Sequence, residues 1–436
     1  MANNIKEQQE ILQKLNIFQL NPMQEEALSV IETTENTVLL SPTGTGKTLA
    51  FLLPMLSFLN PDSTEVQALI VVPSRELAIQ IEQVIRSMGS GYKVNAIYGG
   101  RTIAKDKIEL KHTPAILIGT PGRLADHFGQ ERFTTASVKT LIIDEFDISF
   151  EVGAGGEMRR ILNYLPNIAK RILTSATQDI EIPSYIKMDG AVTLNFLASR
   201  NSKLSQKTIL SPSKNKHTTL ITLLDAIGND PAIVFCNRKD TIVDLSAFLD
   251  KKQLDHSCFH AGMEQRDRER ALIKLRNGSV EILIASDLAA RGIDIPEMKH
   301  IIHFEIPEVE AEFIHRNGRT ARVNSKGTAY IIRHTKEIAP EFIKEAKTMQ
   351  MSNSKTRKPP YWKTLFISGG RKDKISKGDI AGVFFKRGKL LKDQVGVIEL
   401  KQDCAFIAVP SKLSNQLVSE LNNIRIKKKK VRISIV

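Results

Sequence analysis

The sequence predicts two tandem α/β lobes, each on a parallel sheet, followed by a small α+β domain of βαββαβ order. Three observations predict it. Short aliphatic runs alternate with longer amphipathic stretches over residues 21–197 and again from about residue 217. A Gly-rich loop ending in Lys-Thr follows the first of those runs. The basic excess of the chain is confined to its end: residues 355–436 carry 20 Lys and Arg against 6 Asp and Glu.

Val38-Leu39-Leu40 reads as a buried strand and residues 49–59 as a helix, with Ser41-Pro42-Thr43-Gly44-Thr45-Gly46-Lys47-Thr48 between them. That strand, loop and helix is the context a phosphate-binding loop requires. The glycines let backbone N–H groups converge on phosphate, Lys47 would reach the β/γ-phosphates, and the Thr48 hydroxyl would ligate Mg²⁺. Further strands are expected at 68–72, 116–118, 141–143 and 172–173. The run Leu141-Ile142-Ile143 delivers Asp144 and Glu145 to the carboxyl edge of the sheet, where doubly wound folds bind ligands. Asp144 can hold a metal and Glu145 can orient water. The first lobe is expected to span 1–200, and a Ser-, Lys- and Asn-rich stretch at 201–216 reads as a linker. The second lobe, 217–350, has strands at 233–235, 282–284, 300–303 and 329–332 but no second Gly-rich Lys-Thr loop. After a polar connector, 351–362, residues 363–436 give the βαββαβ pattern, the order of an RNA-recognition fold.

The net charge of +14 belongs entirely to the last domain, because the first 354 residues carry 42 basic and 42 acidic side chains. Such asymmetry points to a polyanion, and nucleic acid before membrane, since no amphipathic basic helix accompanies it. No apolar stretch is long enough to span a bilayer and the N-terminus lacks the apolar core of a secretory signal, so a cytoplasmic protein without membrane partners is expected. The three cysteines, Cys236, Cys258 and Cys404, have no spacing that suggests a disulfide framework or a zinc site.

Across residues 15–335 the chain resembles the DEAD-box RNA helicases, whose expected motifs occur in order. Besides the two motifs above it has Asn21-Pro22-Met23-Gln24, Pro73-Ser74-Arg75-Glu76-Leu77, Gly99-Gly100, Thr120-Pro121-Gly122-Arg123 and Ser175-Ala176-Thr177. The second lobe adds Gln265-Arg266-Asp267-Arg268, Ser286-Asp287, Arg291-Gly292-Ile293-Asp294 and His315-Arg316-Asn317-Gly318-Arg319-Thr320-Ala321-Arg322. Ser368-Gly369-Gly370-Arg371-Lys372-Asp373-Lys374 resembles the DbpA-type RNA-binding domain. The resemblance implies two RecA-like lobes forming an RNA-stimulated ATPase and helicase with ATP and Mg²⁺ as cofactors, acting on ribosomal RNA of the large subunit, with a monomer as the starting expectation.

Carried over residue by residue, Gln24 resembles the reader of the adenine edge, and Thr43, Gly44, Thr45, Gly46, Lys47 and Thr48 the phosphate cradle. Asp294 matches the ribose ligand. Arg319 and Arg322 would reach the γ-phosphate across a closed lobe interface, a contact worth about 10³–10⁵ in rate. Asp147, Ser175, Thr177 and His315 resemble the couplers of nucleotide and lobe contacts. Arg75, Gly100, Thr120, Arg123, Arg268 and Ser286 match positions that grip the RNA backbone, which carries little sequence information. Selectivity then falls to Arg371, Lys372, Lys374 and Lys377, with Lys386, Arg387 and the run at 427–430.

Three departures from the family stand out. Phe146 replaces alanine and must be accommodated between Asp144 and Asp147; Ala321 replaces glycine; and Lys6-Glu7-Gln8 occupies the place of an aromatic that stacks on adenine, with Phe18 too near Gln24 to substitute. A weakened adenine preference is the expectation. Phe146 also keeps a second reading open, an ATP-gated RNA clamp with slow hydrolysis, and a DNA translocase is a third.

Overall fold

In a computed structural model the described residues are 5–150, 155–178, 181–197, 204–287, 295, 298–321, 326–343, 346–349 and 357–436. Asp294 and Arg322, both expected site residues, lie outside them. The described residues fall into two units, 5–197 and 204–436.

The first unit is built on seven parallel strands: β1 (Asn36–Leu40), β2 (Ala68–Val71), β3 (Val94–Ile97), β4 (Ile116–Gly119), β5 (Thr140–Ile143), β6 (Lys170–Ser175) and β7 (Val192–Asn195). Their order is β3-β4-β2-β5-β6-β1-β7. The central strands are continuous aliphatic runs because helices cover both faces. Leu39, Ile70, Ile118, Ile142 and Ile172 pack into one core, while Val38, Leu40, Leu69, Val71, Leu141 and Ile143 pack into the other. The sequence pattern does not reveal β3 and β7, which are the two edges: Asn95 interrupts one, and three of the four residues of the other are exposed.

The second unit opens with a second parallel sheet: β8 (Leu204–Ser211), β9 (Ala232–Phe235), β10 (Ser257–Phe259), β11 (Ile282–Ala285), β12 (His300–His303), β13 (Gly327–His334) and β14 (Lys347–Thr348), in the order β10-β11-β9-β12-β13-β8-β14. Residues 204–211 are therefore not linker as expected but a full strand, paired with β13 over eight positions. Its polar sequence hides it, since the ladder with β13 rather than an apolar pattern holds it in place.

The C-terminal domain has the expected order: β15 (Trp362–Ile367), a helix Lys377–Lys386, β16 (Ile398–Leu400), β17 (Ala405–Pro410), a helix Ser414–Leu421 and β20 (Ile433–Ile435). Its sheet is antiparallel in the order β16-β17-β15-β20. The lysine run at 427–430 takes part in a small hairpin, β18 (Arg425–Ile426) with β19 (Lys429–Lys430), just before that last strand.

Leu365, Ile367, Ile407 and Val409 face the two helices, and the opposite face of the sheet lies against the second lobe. Buried Thr364 meets Ser279 Oγ at 2.6 Å and Asn277 Nδ2 at 3.3 Å. Arg276, the last residue of helix α11 (Gln265–Arg276 in chain order), grips Glu399 with both arms of its fork at 2.6 and 3.0 Å. Lys401 pairs with Glu269 at 2.6 Å, and Arg270 lies over the Phe366 ring. The connector is held too: Arg357 pairs with Glu281, and Lys358 and Asn229 exchange hydrogen bonds. The basic domain is thus a docked body rather than a free tether, and Phe366 and Phe406 face each other edge to face at 5.6 Å on a covered sheet.

One buried histidine sets an acid limit on this unit. His303, at the end of β12, is fully buried beside Phe235 and Phe313 and hydrogen-bonds through Nε2 to Asn317 Oδ1 at 3.0 Å. Burial first, and then the Arg316 charge, push its pKa down to about 3. Unfolded chains bind this proton from about pH 6.5 downward while the native state refuses it, so stability falls by roughly 1.4 kcal/mol per pH unit between about 6.5 and 3. Urea unfolding at pH 7 and pH 5 is expected to show a loss of about 2 kcal/mol that His303→Gln largely removes.

Candidate active site

β1 ends at Leu40, and the backbone of Ser41 stays tied to the sheet by donating to the Ser175 carbonyl at 3.0 Å. The loop then turns through Gly44 and Gly46, whose φ values are +79° and +90°. A Cβ on Gly46 would stand 2.4 Å from Gln24 Nε2, so only glycine fits. Gly46 caps helix α3 (Lys47–Ser57), which places Lys47 and Thr48 at its N-terminus. The Lys47 ammonium donates to the Ser41 and Pro42 carbonyls, and the Thr45 hydroxyl donates to Pro42 O at 2.8 Å. Thr43 belongs to the same loop. Gln24 spends both ends of its amide here: Oε1 accepts from Asn21 N at 3.0 Å and Nε2 donates to Gly46 O at 3.2 Å. It therefore joins the N-terminus of helix α2 (Pro22–Thr33) to the loop.

β6 lies between β1 and β5 and carries the link to the acidic pair. The Thr174 hydroxyl donates to Asp144 Oδ1, and Glu145 N donates to the same oxygen at 3.1 Å. Burial first and the Glu145 charge second push the Asp144 carboxyl up to about 6, against the pull of Thr174 and Lys47. Glu145 adopts φ +51°, a left-handed conformation that a non-glycine residue holds only when its surroundings impose it. Its Oε2 is buried with no hydrogen-bond partner. Two adjoining carboxylates, one with an unsatisfied oxygen and the other feeling the Lys47 charge, are hard oxygen donors that suit Mg²⁺, and Thr48 in the first turn of α3 carries a further hydroxyl.

Phe146 does not crowd this site. It opens the short helix Phe146–Ser149 and turns its ring into the core, 1% exposed and 5.8 Å from the Phe150 ring. Asp147 on the same turn accepts from the Thr177 hydroxyl at 2.9 Å, and Thr177 N donates to Ser175 Oγ at 2.9 Å. Asp147, Thr177 and Ser175, the couplers expected in the first unit, thus form one hydrogen-bonded chain.

Among the expected RNA positions, Arg75 lies across Gly99 and Gly100: a Cβ on Gly100, at φ +86°, would sit 2.4 Å from its Nη1. Thr120 caps the helix Pro121–Gly129. Arg123 is committed elsewhere, because its fork binds buried Asp106 at 2.7 and 2.8 Å and donates to Arg101 O at 3.1 Å. Asp106 also pairs with Arg101 and His127. Arg123 braces the loop through this carboxylate, and the sequence gives no sign of it. In the second unit Arg268 is 5% exposed and stacks on Phe259 at 4.8 Å, while Ser286 N donates to Phe259 O at 3.2 Å. Arg319 and His315 are both buried, and Arg316 between them is held by Asp287, Asn237 and the Glu305 carbonyl. Ala321 takes φ +51°, where a Cβ costs about 1 kcal/mol. Ala321→Gly is expected to raise stability by roughly that amount, read as a higher thermal midpoint.

Arg371, Lys372, Lys374 and Lys377 are all exposed, on a 3₁₀ turn (Arg371–Asp373) and the start of the helix Lys377–Lys386. The turn is pinned to the β16–β17 connection by Arg371 N to Lys401 O and Lys372 N to Gln402 O, at 2.9 and 2.8 Å. A Cβ on Gly370 would lie 2.5 Å from Gln402 O and 2.6 Å from Cys404 N. Because backbone cannot yield cheaply, Gly370→Ala is expected to cost about 1–3 kcal/mol in thermal unfolding and to displace the basic turn.

A phosphate loop beside an acidic pair at the carboxyl edge of a parallel sheet defines the first unit as a P-loop ATPase. Comparison with known proteins narrows the class. Residues 21–184 match the DEAD/DEAH box helicase family, 215–324 the helicase conserved C-terminal domain, and 364–435 the DbpA RNA binding domain. The chain is 29% identical to the ATP-dependent RNA helicase DbpA of Bacillus subtilis, over 91% of this chain and 90% of that one. It is 31% identical to the ATP-dependent RNA helicase CshA of Listeria monocytogenes, over 81% and 69% of the two chains. Among solved structures, S. cerevisiae Dbp5 bound to RNA and ADP BeF3 superposes with a TM-score of 0.68 at 28% identity, covering 75% of this chain and 88% of that one. This chain belongs to the DEAD-box ATP-dependent RNA helicases and carries an RNA-binding domain of the DbpA type. No helix among the described residues is long and apolar enough to cross a membrane.

Proposed function

We propose that this helicase opens short duplexes in ribosomal RNA, as a cytoplasmic monomer, with its C-terminal domain as the selective anchor. The observation that carries the proposal is the charge distribution: the full +14 surplus lies in one DbpA-type domain whose basic turn is exposed. The helicase named DbpA in Bacillus subtilis, similar over nine-tenths of this chain, supports the same reading.

Lys47 would bind the β/γ-phosphates, giving up its present contacts to loop carbonyls, and Thr48 with Asp144 would hold Mg²⁺. When bound, that ion neutralises phosphate charge. Glu145 orients and deprotonates the attacking water, and Arg319, with Arg322, stabilises charge on the γ-phosphate. Asp294 holds the ribose. Asp147, Thr177, Ser175 and His315 relay nucleotide state to the lobe contacts. Arg75, Gly100, Thr120, Arg268 and Ser286 grip the RNA backbone, with Arg123 bracing rather than gripping. Phe146 facing the core favours the helicase reading over the slow clamp.

The test is ATP hydrolysis without nucleic acid, with generic RNA and with large-subunit ribosomal RNA fragments. Strong stimulation by one fragment above generic RNA is the expected result. Equal stimulation by every RNA would sink the ribosomal assignment.

A further inference from the structure

Where the C-terminal domain meets the second lobe, the seam holds a half-open cavity of about 410 Å³, within the range of small-ligand sites. Trp362, Lys363, Asp255, Ser279, Ser414 and Asn415 are among its lining residues, all in the second unit. The indole is fixed in place: a Cβ on Gly278 of the lobe would stand 3.3 Å from its Cδ1, and one on Gly396 of the domain 3.2 Å from its Cζ3. Lys363 is half-buried, and its ammonium has no hydrogen bond or ion pair among the described residues. Lys274 of helix α11, half-buried and outside the cavity lining, has a side chain with no hydrogen-bond partner among the described residues and feels Lys363 and Asp255. Burial and then the Lys363 charge hold its pKa below the ordinary lysine value. A half-buried ammonium on the cavity wall with no anionic partner, repelled by a second lysine, is an electrostatic cost that an anion removes.

We propose that this seam cavity binds one nucleotide unit, its base against Trp362 and its phosphate on Lys363, with the charge of Lys274 behind the wall adding to the attraction. An indole face stacks on any base, and hydroxyl and amide groups on the wall meet its edge. Asp255, an acceptor only, favours a base edge bearing an exocyclic amino group, as in cytosine, adenine or guanine, over uracil. The unit comes either from an RNA strand or from a free mononucleotide. The site does not depend on the ribosomal assignment, because the mononucleotide arm reads it without RNA.

Trp362 is the one tryptophan of the chain, so its fluorescence reports on this cavity directly. The full-length protein is titrated with CMP, UMP, cytidine, inorganic phosphate and a short single-stranded oligoribonucleotide. Saturable quenching by CMP is expected, with cytidine and UMP each about tenfold weaker. Lys363→Met and Lys274→Met should each weaken CMP by about tenfold or more while the far-ultraviolet dichroism stays unchanged. Quenching must persist in Lys47→Ala, which separates it from nucleotide bound at the P-loop. Quenching by the oligoribonucleotide alone assigns the unit to a strand, and quenching by CMP as well admits the free nucleotide. Absence of saturable quenching by either, equal quenching in the lysine variants, or quenching by phosphate as strong as by CMP overturns the proposal.

Discussion

Glu145→Gln is expected to lower RNA-stimulated ATP turnover by about 10²–10⁴, with nucleotide and RNA binding retained. Glutamine keeps the shape of the side chain, so the left-handed turn and the bond from Glu145 N to Asp144 Oδ1 have no steric reason to change. What disappears is a proton acceptor and one negative charge. That charge is one of the causes that push Asp144 up, so the substitution lets Asp144 ionise more readily. Metal and ATP binding should hold or tighten while hydrolysis collapses. Steady-state hydrolysis and equilibrium nucleotide binding on the same sample separate the two effects. A drop in turnover smaller than about tenfold would mean that another group activates the water.

The residues that carry this chemistry were legible in the sequence because they sit at the ends of central strands. Leu39, Ile142 and Leu173 are buried on both sheet faces, so their runs are continuous and end abruptly where the polar motifs begin. β8 was not legible, because a strand rich in Ser, Gln, Lys and Thr has the composition of a linker until β13 pairs with it. Neither was the bracing of Arg123, since Asp106 lies on a separate helix and a lone aspartate there carries no signal. Thr174 escaped for a different reason: it precedes a recognised motif, and only the strand order shows that it reaches Asp144. The docking of the C-terminal domain was invisible for the same cause. Thr364, Glu399 and Lys401 read as ordinary solvent-facing strand residues, and their partners read as an ordinary charged helix, α11, and the turn that follows it. The sequence therefore exposes what local burial dictates and hides what long-range polar pairing decides.

That docking sharpens the second large effect. With much of its open sheet face against the second lobe, the C-terminal domain still exposes its basic turn and hairpin, together with Lys386, Arg387 and Lys389. Replacing Arg371, Lys372, Lys374 and Lys377 together by alanine is expected to weaken binding to the preferred ribosomal fragment by at least about 100-fold at low salt. The two carboxylates nearby deepen the effect. Asp379 is held down to about 2, mainly by Lys427 and Ser376, and Lys429 pairs with Asp373, so both stay negative at neutral pH. Without the four cations the turn would present acidic groups and repel phosphate. The diagnostic readout is the slope of log affinity against log salt, which should become shallower by about 3 if each residue meets one phosphate. A set that exchanges Lys and Arg at the same four positions should keep both slope and preference, because charge rather than shape is at stake. If the alanine set loses affinity with no change in slope, the turn acts through the shape of the domain and the anchoring cations lie elsewhere, first among them Lys428 and Lys430 of the hairpin segment, both exposed.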